Sequence, residues 1–509
     1  MIALPLGFSG IIGRRRSSTK ESAATPSRIM VPRVVFLVTA FALVLFGLLM
    51  IYSSSSIVGL TTKDYGYNPM YFLNKQAFYA CVGAAVAVAL AVIDYHRWTG
   101  NVLRVVWTVT TLLLVLVYLP VAGQDAYGAT RWIQIGGFTL QPSEFAKVTI
   151  ILTGADICES FFWRGDIDQR EALKLALVGV VLPLFLILRQ PDKGTTGVLL
   201  LTLLVMSYLS GVSGVGIVLV GAFLLVLALG YAMFDGYARA RIITVFNPFN
   251  DPYGEGYQLI QGLYAFGSGG ITGVGLGFSR QKYNYLPMAH NDFIFAVVGE
   301  ELGLVGTVGM LLAFAVLLWA GLKIAENAPD LMGRLIAAGC TSLLIIQLLL
   351  NVSGVIGIFP LSGKPVPFIS YGGSSVISCL MLVGLVISVS LRSTLPETSA
   401  DRRRAQLRVA TEEEGWAPEG SSAGIPTRRT SRRSLRDSSL GHAGGLLPSG
   451  SWKVYEGTGG AATRETGEPY ARSQGRITRD ASGRTRLDLG PSAADRLRSA
   501  RRRDNTWRE

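Results

Sequence analysis

The sequence predicts an all-α polytopic membrane protein of about ten transmembrane helices with one large extracytoplasmic loop. Three observations carry that prediction. Of 509 residues, 50% are hydrophobic and only 16% charged, against about 25% charged in average soluble chains. Apolar runs near the ~20 residues that cross a bilayer recur between residues 34 and 391. Lys and Arg gather in alternate connecting segments, the bias that fixes orientation in a membrane.

The expected spans are 34–52, 76–93, 105–122, 142–162, 172–188, 195–210, 214–234, 292–322, 335–356 and 374–391. Only the short polar breaks RQPDKG and SGVSG separate the fifth to the seventh. The segment before Val34 carries Arg14, Arg15, Arg16, Lys20, Arg28 and Arg33 against Glu21 alone. Arg97 with Arg104, then Arg164, Arg170 and Lys174, then Lys323 and Arg334, and finally Arg392 with Arg402 to Arg404 fall on the same side if both termini are cytoplasmic. No small-residue cleavage site follows the leader arginines, so the first span reads as a retained anchor rather than a signal peptide.

The organisation expected is a basic cytoplasmic segment 1–33, a membrane domain 34–395 with its large outer loop at 235–291, and a basic cytoplasmic tail 396–509. The formal charge of +13 is uneven, since residues 392–509 hold 23 Lys/Arg against 15 Asp/Glu. That tail is rich in Ser, Gly, Arg and Thr without a sustained apolar period, a composition expected to be disordered. Its charge alone is no nucleic-acid motif, so no nucleic-acid partner is expected. Cys81, Cys158, Cys340 and Cys379 have neither ligand nor redox spacing and read as small apolar residues.

Chemistry is expected on the outer loops 123–141, 189–194, 235–291 and 357–373. In LPMAHNDFIFAVVGEELG (286–303), Asp292 shares a narrow helical face with Ala296, Gly299 and Gly303. Glu300 lies about 80° round from it and Glu301 nearly opposite. Asp292 either caps the helix that follows or, as an ionisable group at a membrane mouth, acts as a base whose proton affinity burial raises. In RWIQIGGFTLQPSEFAK (131–147), Pro142 suits a first helical turn. Glu144 and Lys147 either pair at i,i+3 or, with Arg131, help form a polar site. Asp192 in RQPDKGTTG either caps the sixth span or joins Arg131 and Lys147 around an anionic head group.

The GSGGITGVGLGFS run fits neither a dinucleotide fingerprint nor a P-loop. A flexible interfacial flap, anchored by Tyr253, Tyr257, Tyr264 and Phe266, is expected there instead. Pro360, Pro365 and Pro367 forbid a continuous helix over 351–375, so that backbone must line protein or water. Ser370, Ser374 and Ser375 beside it form a candidate binding rim. Three histidines in the whole chain make a His-based metal site improbable, and no cofactor is evident, although a divalent cation is compatible with the loops.

RWIQIGGFTLQPSEFAK, QPDKGTTG, AHNDFIFAVVGEELG and PLSGKPVPFISYGGSS, in that order, resemble the shape, elongation, division and sporulation (SEDS) glycosyltransferases over roughly residues 34–395. GLGFSRQKYNYLP looks more like the division branch than the rod-elongation branch. The resemblance implies a ten-span enzyme that polymerises lipid II at the outer face of a bacterial cytoplasmic membrane, at the division septum. Undecaprenyl diphosphate would be the leaving group. It implies that Asp292 is the catalytic carboxylate, that Glu144, Lys147 and Asp192 line the cavity with Arg131 at its rim, and that Ser370 and Ser374 belong to the motif before the last span. It also implies a single-span class B penicillin-binding transpeptidase as partner, with other division proteins engaged by the tail. Members usually carry Glu at Met288, often an acid at Asn284, commonly Thr at Asn291 and an apolar residue at Lys364. The alternative to a polymerase is a flippase for the same lipid-linked precursor, which would survive loss of Asp292.

Overall fold

The computed structural model describes residues 27–119, 123–126, 129–135, 138–234, 236–254, 256–393, 476–479 and 485–488. Twelve helices make up the membrane domain: α1 (Ser27–Thr61), α2 (Tyr71–Val92), α3 (Gly100–Leu116), α4 (Pro142–Cys158), α5 (Gln169–Arg189), α6 (Lys193–Leu209), α7 (Gly214–Phe234), α8 (Gly236–Phe246), α9 (Tyr257–Gly269), α10 (Ile294–Glu326), α11 (Leu331–Val355) and α12 (Gly373–Arg392). Ten of them stand at the ten expected spans, and α8 with α9 divides the long loop. The chain is a multi-pass, all-α membrane protein.

Among the described residues six helices, α1, α2, α5, α10, α11 and α12, are long and apolar enough to cross a bilayer unaided, while α3, α6 and most of α7 are shorter apolar helices. The exception is α4. It carries Glu144, Lys147 and Asp156, and nearly all its residues are buried, so protein rather than lipid surrounds its charges. It lies against α3, α6, α11 and α12. Together with α11 and α12, which are largely enclosed, it forms the centre of the bundle.

Local signals set the helix ends. Pro142 opens α4 at its first turn, where a missing N–H costs nothing. The Asp192 carboxylate accepts from Thr195 N at 3.2 Å to cap α6, and Asp330 accepts from Gly333 N at 2.7 Å to cap α11. Beyond Val355 the three prolines hold the chain out of helix until Gly373, as expected. The connection between α3 and α4 is not helical: β1 (Gly123–Ala126), β2 (Ala129–Ile135) and β3 (Phe138–Leu140) form an antiparallel meander.

The long loop is built into the domain rather than laid over it. From Tyr257 to Gly269, α9 runs beside the start of α10, with Gly262 against Phe293 and Gly269 against Gly299. The chain then meets α10 where that helix is broken at Gly303, whose φ is +65°. Four hydrogen bonds bridge the break. Val274 N and Gly275 N donate to the carbonyls of Glu300 and Glu301, and Leu304 N and Val305 N donate to those of Gly270 and Ile271, at 3.0–3.1 Å. A Cβ on Gly303 would lie 2.4 Å from Gly273 N, so the crossing requires glycine. Ser279, Lys282, Leu286 and Ala289 are all buried. The expected interfacial anchors divide: Tyr253 and Tyr264 are exposed, whereas Phe266 packs against Phe295 at a ring-centroid distance of 5.5 Å.

At the opposite end of the bundle from Asp292, the ends of α2 and α12 meet the start of α11. His96 bridges Asp94 at 2.7 Å and Asp330 at 2.6 Å, and Arg392 pairs with Asp94 at 3.2 Å.

The leader up to residue 26 lies outside the described residues. So does the tail from 394 onward, apart from β4 (Arg476–Arg479) and β5 (Thr485–Asp488), which pair as an antiparallel hairpin.

Candidate active site

Asp292 sits in the turn just before α10. The cap position of that helix is Phe293, and no side chain caps it. The capping role weighed for Asp292 is therefore not the one it plays. Its backbone carbonyl accepts from Asn351 Nδ2 at 2.8 Å, but among the described residues no group donates to its carboxylate. The half-buried carboxylate opens on a small cleft lined by Arg241, Gln258, Asn351, Ser362 and Gly363. Burial raises its proton affinity above the ordinary carboxylate value, and the charges of Lys364, Arg241 and Arg131 offset that rise only in part.

Beside it lies a denser cluster. Asp192 accepts from Lys364 Nζ at 2.8 and 3.0 Å, from Ser143 Oγ at 2.9 Å, from Gln141 Nε2 at 3.2 Å and from Thr195 Oγ1 at 2.9 Å. Burial would raise this carboxyl, but Lys364 foremost, then Arg131 and the Thr195 amide, hold it well below its ordinary value. Asp192 caps α6, and the polar cluster around it is built on Lys364 rather than Lys147, which pairs with Glu144. Gly194 leaves room there: a Cβ would come within 2.8 Å of Lys364 Cγ. Arg131 stands at the rim, donating to the carbonyls of Gln190 at 3.1 Å and Pro191 at 2.6 Å.

Glu144 and Lys147 depart from the expected cavity lining. They pair with each other at 2.6 Å and are each 1% exposed. Glu144 also accepts from Ser378 Oγ at 2.9 Å, and Lys147 donates to Gln347 Oε1 at 2.9 Å, so the pair joins α4 to α11 and α12. Ser370 and Ser374 likewise serve the backbone. Ser370 Oγ accepts from Val366 N at 2.8 Å, and Ser374 Oγ accepts from Gln141 N at 2.9 Å, tying the approach to α4 onto the start of α12. Neither forms a free rim.

Glu300 and Glu301 are also committed. Glu300 accepts from Ser279 Oγ and from Arg280 N at 2.8 Å. Glu301 accepts from Ser53 Oγ at 2.7 Å and pairs with Lys282 at 3.4 Å. His290, two residues before Asp292, is held neutral by burial, its proton affinity lowered to about 4. Met288 and Asn284 both lie in the left-handed region, at φ +52° and +67°. Asn favours that region without any acid function, which accounts for Asn284 in geometric terms.

Sequence reasoning missed Arg241 and Asn351. Arg239 and Arg241 lie in the loop expected on the outer side, against the positive-inside bias, and that was the available signal for Arg241. Nothing local marks Asn351. Its amide donates to the carbonyls of both Asp292 and Lys364, at 2.8 and 2.7 Å, across gaps of 59 and 13 residues.

A helical membrane bundle in which one carboxylate without a donor faces three cations belongs to a class of polytopic membrane protein with a polar site at one end of its core. The chain is a member of the FtsW/RodA/SpoVE family of cell cycle proteins, whose family profile matches residues 33–395. Stage V sporulation protein E of Bacillus subtilis is 38% identical over 362 residues, covering 70% of this chain and 97% of that protein. A relative from Geobacter metallireducens, named "Probable peptidoglycan glycosyltransferase FtsW", is 39% identical over 373 residues, covering 70% and 94%. The fold is similar to a solved structure described as "Structural coordination of polymerization and crosslinking by a peptidoglycan synthase complex", with TM-score 0.56, 29% identity and coverage of 70% and 96%. A mutant of the Thermus thermophilus rod shape determining protein RodA matches with TM-score 0.52, 25% identity and coverage of 71% and 98%.

Proposed function

We propose that this chain is a peptidoglycan glycosyltransferase that polymerises lipid II at the outer face of the cytoplasmic membrane, in septal wall synthesis. The observation that carries the reading is Asp292, whose carboxylate has raised proton affinity and no hydrogen-bond donor, beside Lys364, Arg241 and Arg131. A sugar hydroxyl of the acceptor gives its proton to Asp292 as its oxygen bonds to the anomeric carbon of the donor. The bond from that carbon to the diphosphate breaks, and undecaprenyl diphosphate leaves with the electron pair. The cations near Asp292 stabilise the charge that develops on it.

Relatives named FtsW at 37–39% identity support the division branch. Likeness to a synthase complex supports a transpeptidase partner of the single-span penicillin-binding class. On this reading residues 34–395 are the catalytic domain, both termini are cytoplasmic, and the tail serves other division proteins. Lipid II polymerisation by the purified protein, wild type against Asp292→Asn, tests the mechanism. The Asn variant is expected to lose about 10²–10⁴-fold in rate while still binding lipid II, and full activity would sink the assignment.

A further inference from the structure

Lys364 stands between two carboxylates that differ in almost every respect. Its ammonium touches both oxygens of Asp192, at 2.8 and 3.0 Å, and it is 3% exposed. Its own carbonyl is held by the Asn351 amide that also holds the carbonyl of Asp292. The preceding residue, Gly363, lies so near that a Cβ there would be 3.6 Å from Asp292 Oδ2. One side-chain amide therefore fixes the backbones of both residues, while the Lys364 side chain fixes the 361–364 segment to the cap of α6.

We propose that Lys364 is a positioning residue for the base: anchored on Asp192, it holds the loop beside Asp292 and serves both carboxylates as a common counter-charge. The other cations are differently employed. Lys147 is committed to Glu144, Arg131 to the carbonyls of Gln190 and Pro191, and Arg241 donates to the carbonyl of Leu361. The charged groups facing Asp292 are Lys364 from the loop before α12, Arg241 from α8 and Arg131 from β2, and His290 beside it is neutral. Asp192 faces Lys364 and Arg131, and Glu144 on α4 also feels Lys364.

Removing the ammonium takes away the foremost charge that favours ionised Asp292, so its proton affinity rises. A base acts only when deprotonated, so the acid limb of the pH–rate profile moves to higher pH. The proposal rests on Asp292 being the base, and a probe independent of turnover separates the two. Carbodiimide modifies protonated carboxyls, and peptide mass spectrometry reads the labelling of Asp292 against pH in the full-length protein.

In Lys364→Met the labelling midpoint of Asp292 is expected to move upward by about one pH unit, with the acid limb of activity following it. Lys364→Arg, which keeps the charge, stays near wild type. The decisive variant is Asp192→Asn/Lys364→Met, which leaves neither charge unpaired. Its midpoint stays raised if Lys364 serves Asp292, and returns to the wild-type value if Lys364 is only the partner of Asp192, which overturns the proposal. If the single Met variant does not fold, the double variant carries the test alone. Activity persisting in Asp292→Asn, together with the shifted Asp292 labelling in Lys364→Met, would refute the base and leave the coupling standing.

Discussion

The two ends of the bundle hold similar groups in contrasting states. At the end away from Asp292, Asp330 accepts from the Gly333 amide, the Tyr95 hydroxyl and His96, and Asp94 accepts from His96 and Arg392. Each carboxyl is held below its ordinary value against the effect of burial, by hydrogen bonds led by His96. At the other end, Asp292 accepts from none of the described residues through its side chain, and its value is raised. The carboxylates that fasten these helix ends have their bonding capacity filled, whereas that of Asp292 stays open beside three cations. By that criterion Glu144, Glu300 and Glu301 belong with Asp330, however close they stand to the site.

The sharpest way to break this contrast is to leave a fastening group alone. Glu144→Ala strands the Lys147 ammonium among α4, α11 and α12, and loss of a buried partner costs about 3–5 kcal/mol. A large fall in melting temperature in detergent is expected, and most of it should be recovered in Glu144→Gln/Lys147→Met. A melting temperature unchanged in Glu144→Ala would show that the pair is not a fastening. Asp292→Asn should behave in the opposite sense. Because its charged form is disfavoured where it stands, the neutral isostere is expected to gain roughly 1 kcal/mol of stability, seen as a higher melting temperature in the variant that has lost activity. A lower one would mean that Asp292 also fastens.

The smallest effect belongs to the His96 bridge, which is half exposed and screened by solvent. Bonding to Asp330 raises its proton affinity. Its contribution is therefore full below the unfolded value of about 6.5 and is lost as pH rises through the raised folded value. The Asp94 and Asp330 contributions run the other way, present above about 3.9 and lost as pH falls. His96→Gln is expected to lower the melting temperature slightly at pH 6 and less at pH 9, and an equal loss at both would remove charge from the account.

Much of this was legible in the sequence. Ten apolar runs marked ten helices because a bilayer imposes its length on any segment that crosses it. Asp292 was legible because an acid without a nearby base in a polar-to-apolar junction is rare. The Asp192–Lys364 pair was not, since 172 residues separate its members and no periodicity reports such a contact. Glu144 and Lys147 were legible as neighbours at i,i+3, but their enclosure depends on Gln347 and Ser378, which only the packing of α11 and α12 brings near. The strands at 123–140 escaped because runs so short were overshadowed by the spans on either side.

The crossing of the GGITG segment over the break in α10 constrains what substitutions this lineage can accept. A Cβ on Gly303 would meet Gly273 N, and one on Gly273 would meet the carbonyl of Glu301, two residues before Gly303, so neither can be replaced without penalty. Both positions serve the same crossing, each held to glycine by the backbone that lies against it. Drift away from glycine at either would have to pass through a chain whose segment bearing Asp292 is displaced, and descendants that retain one glycine are expected to retain both.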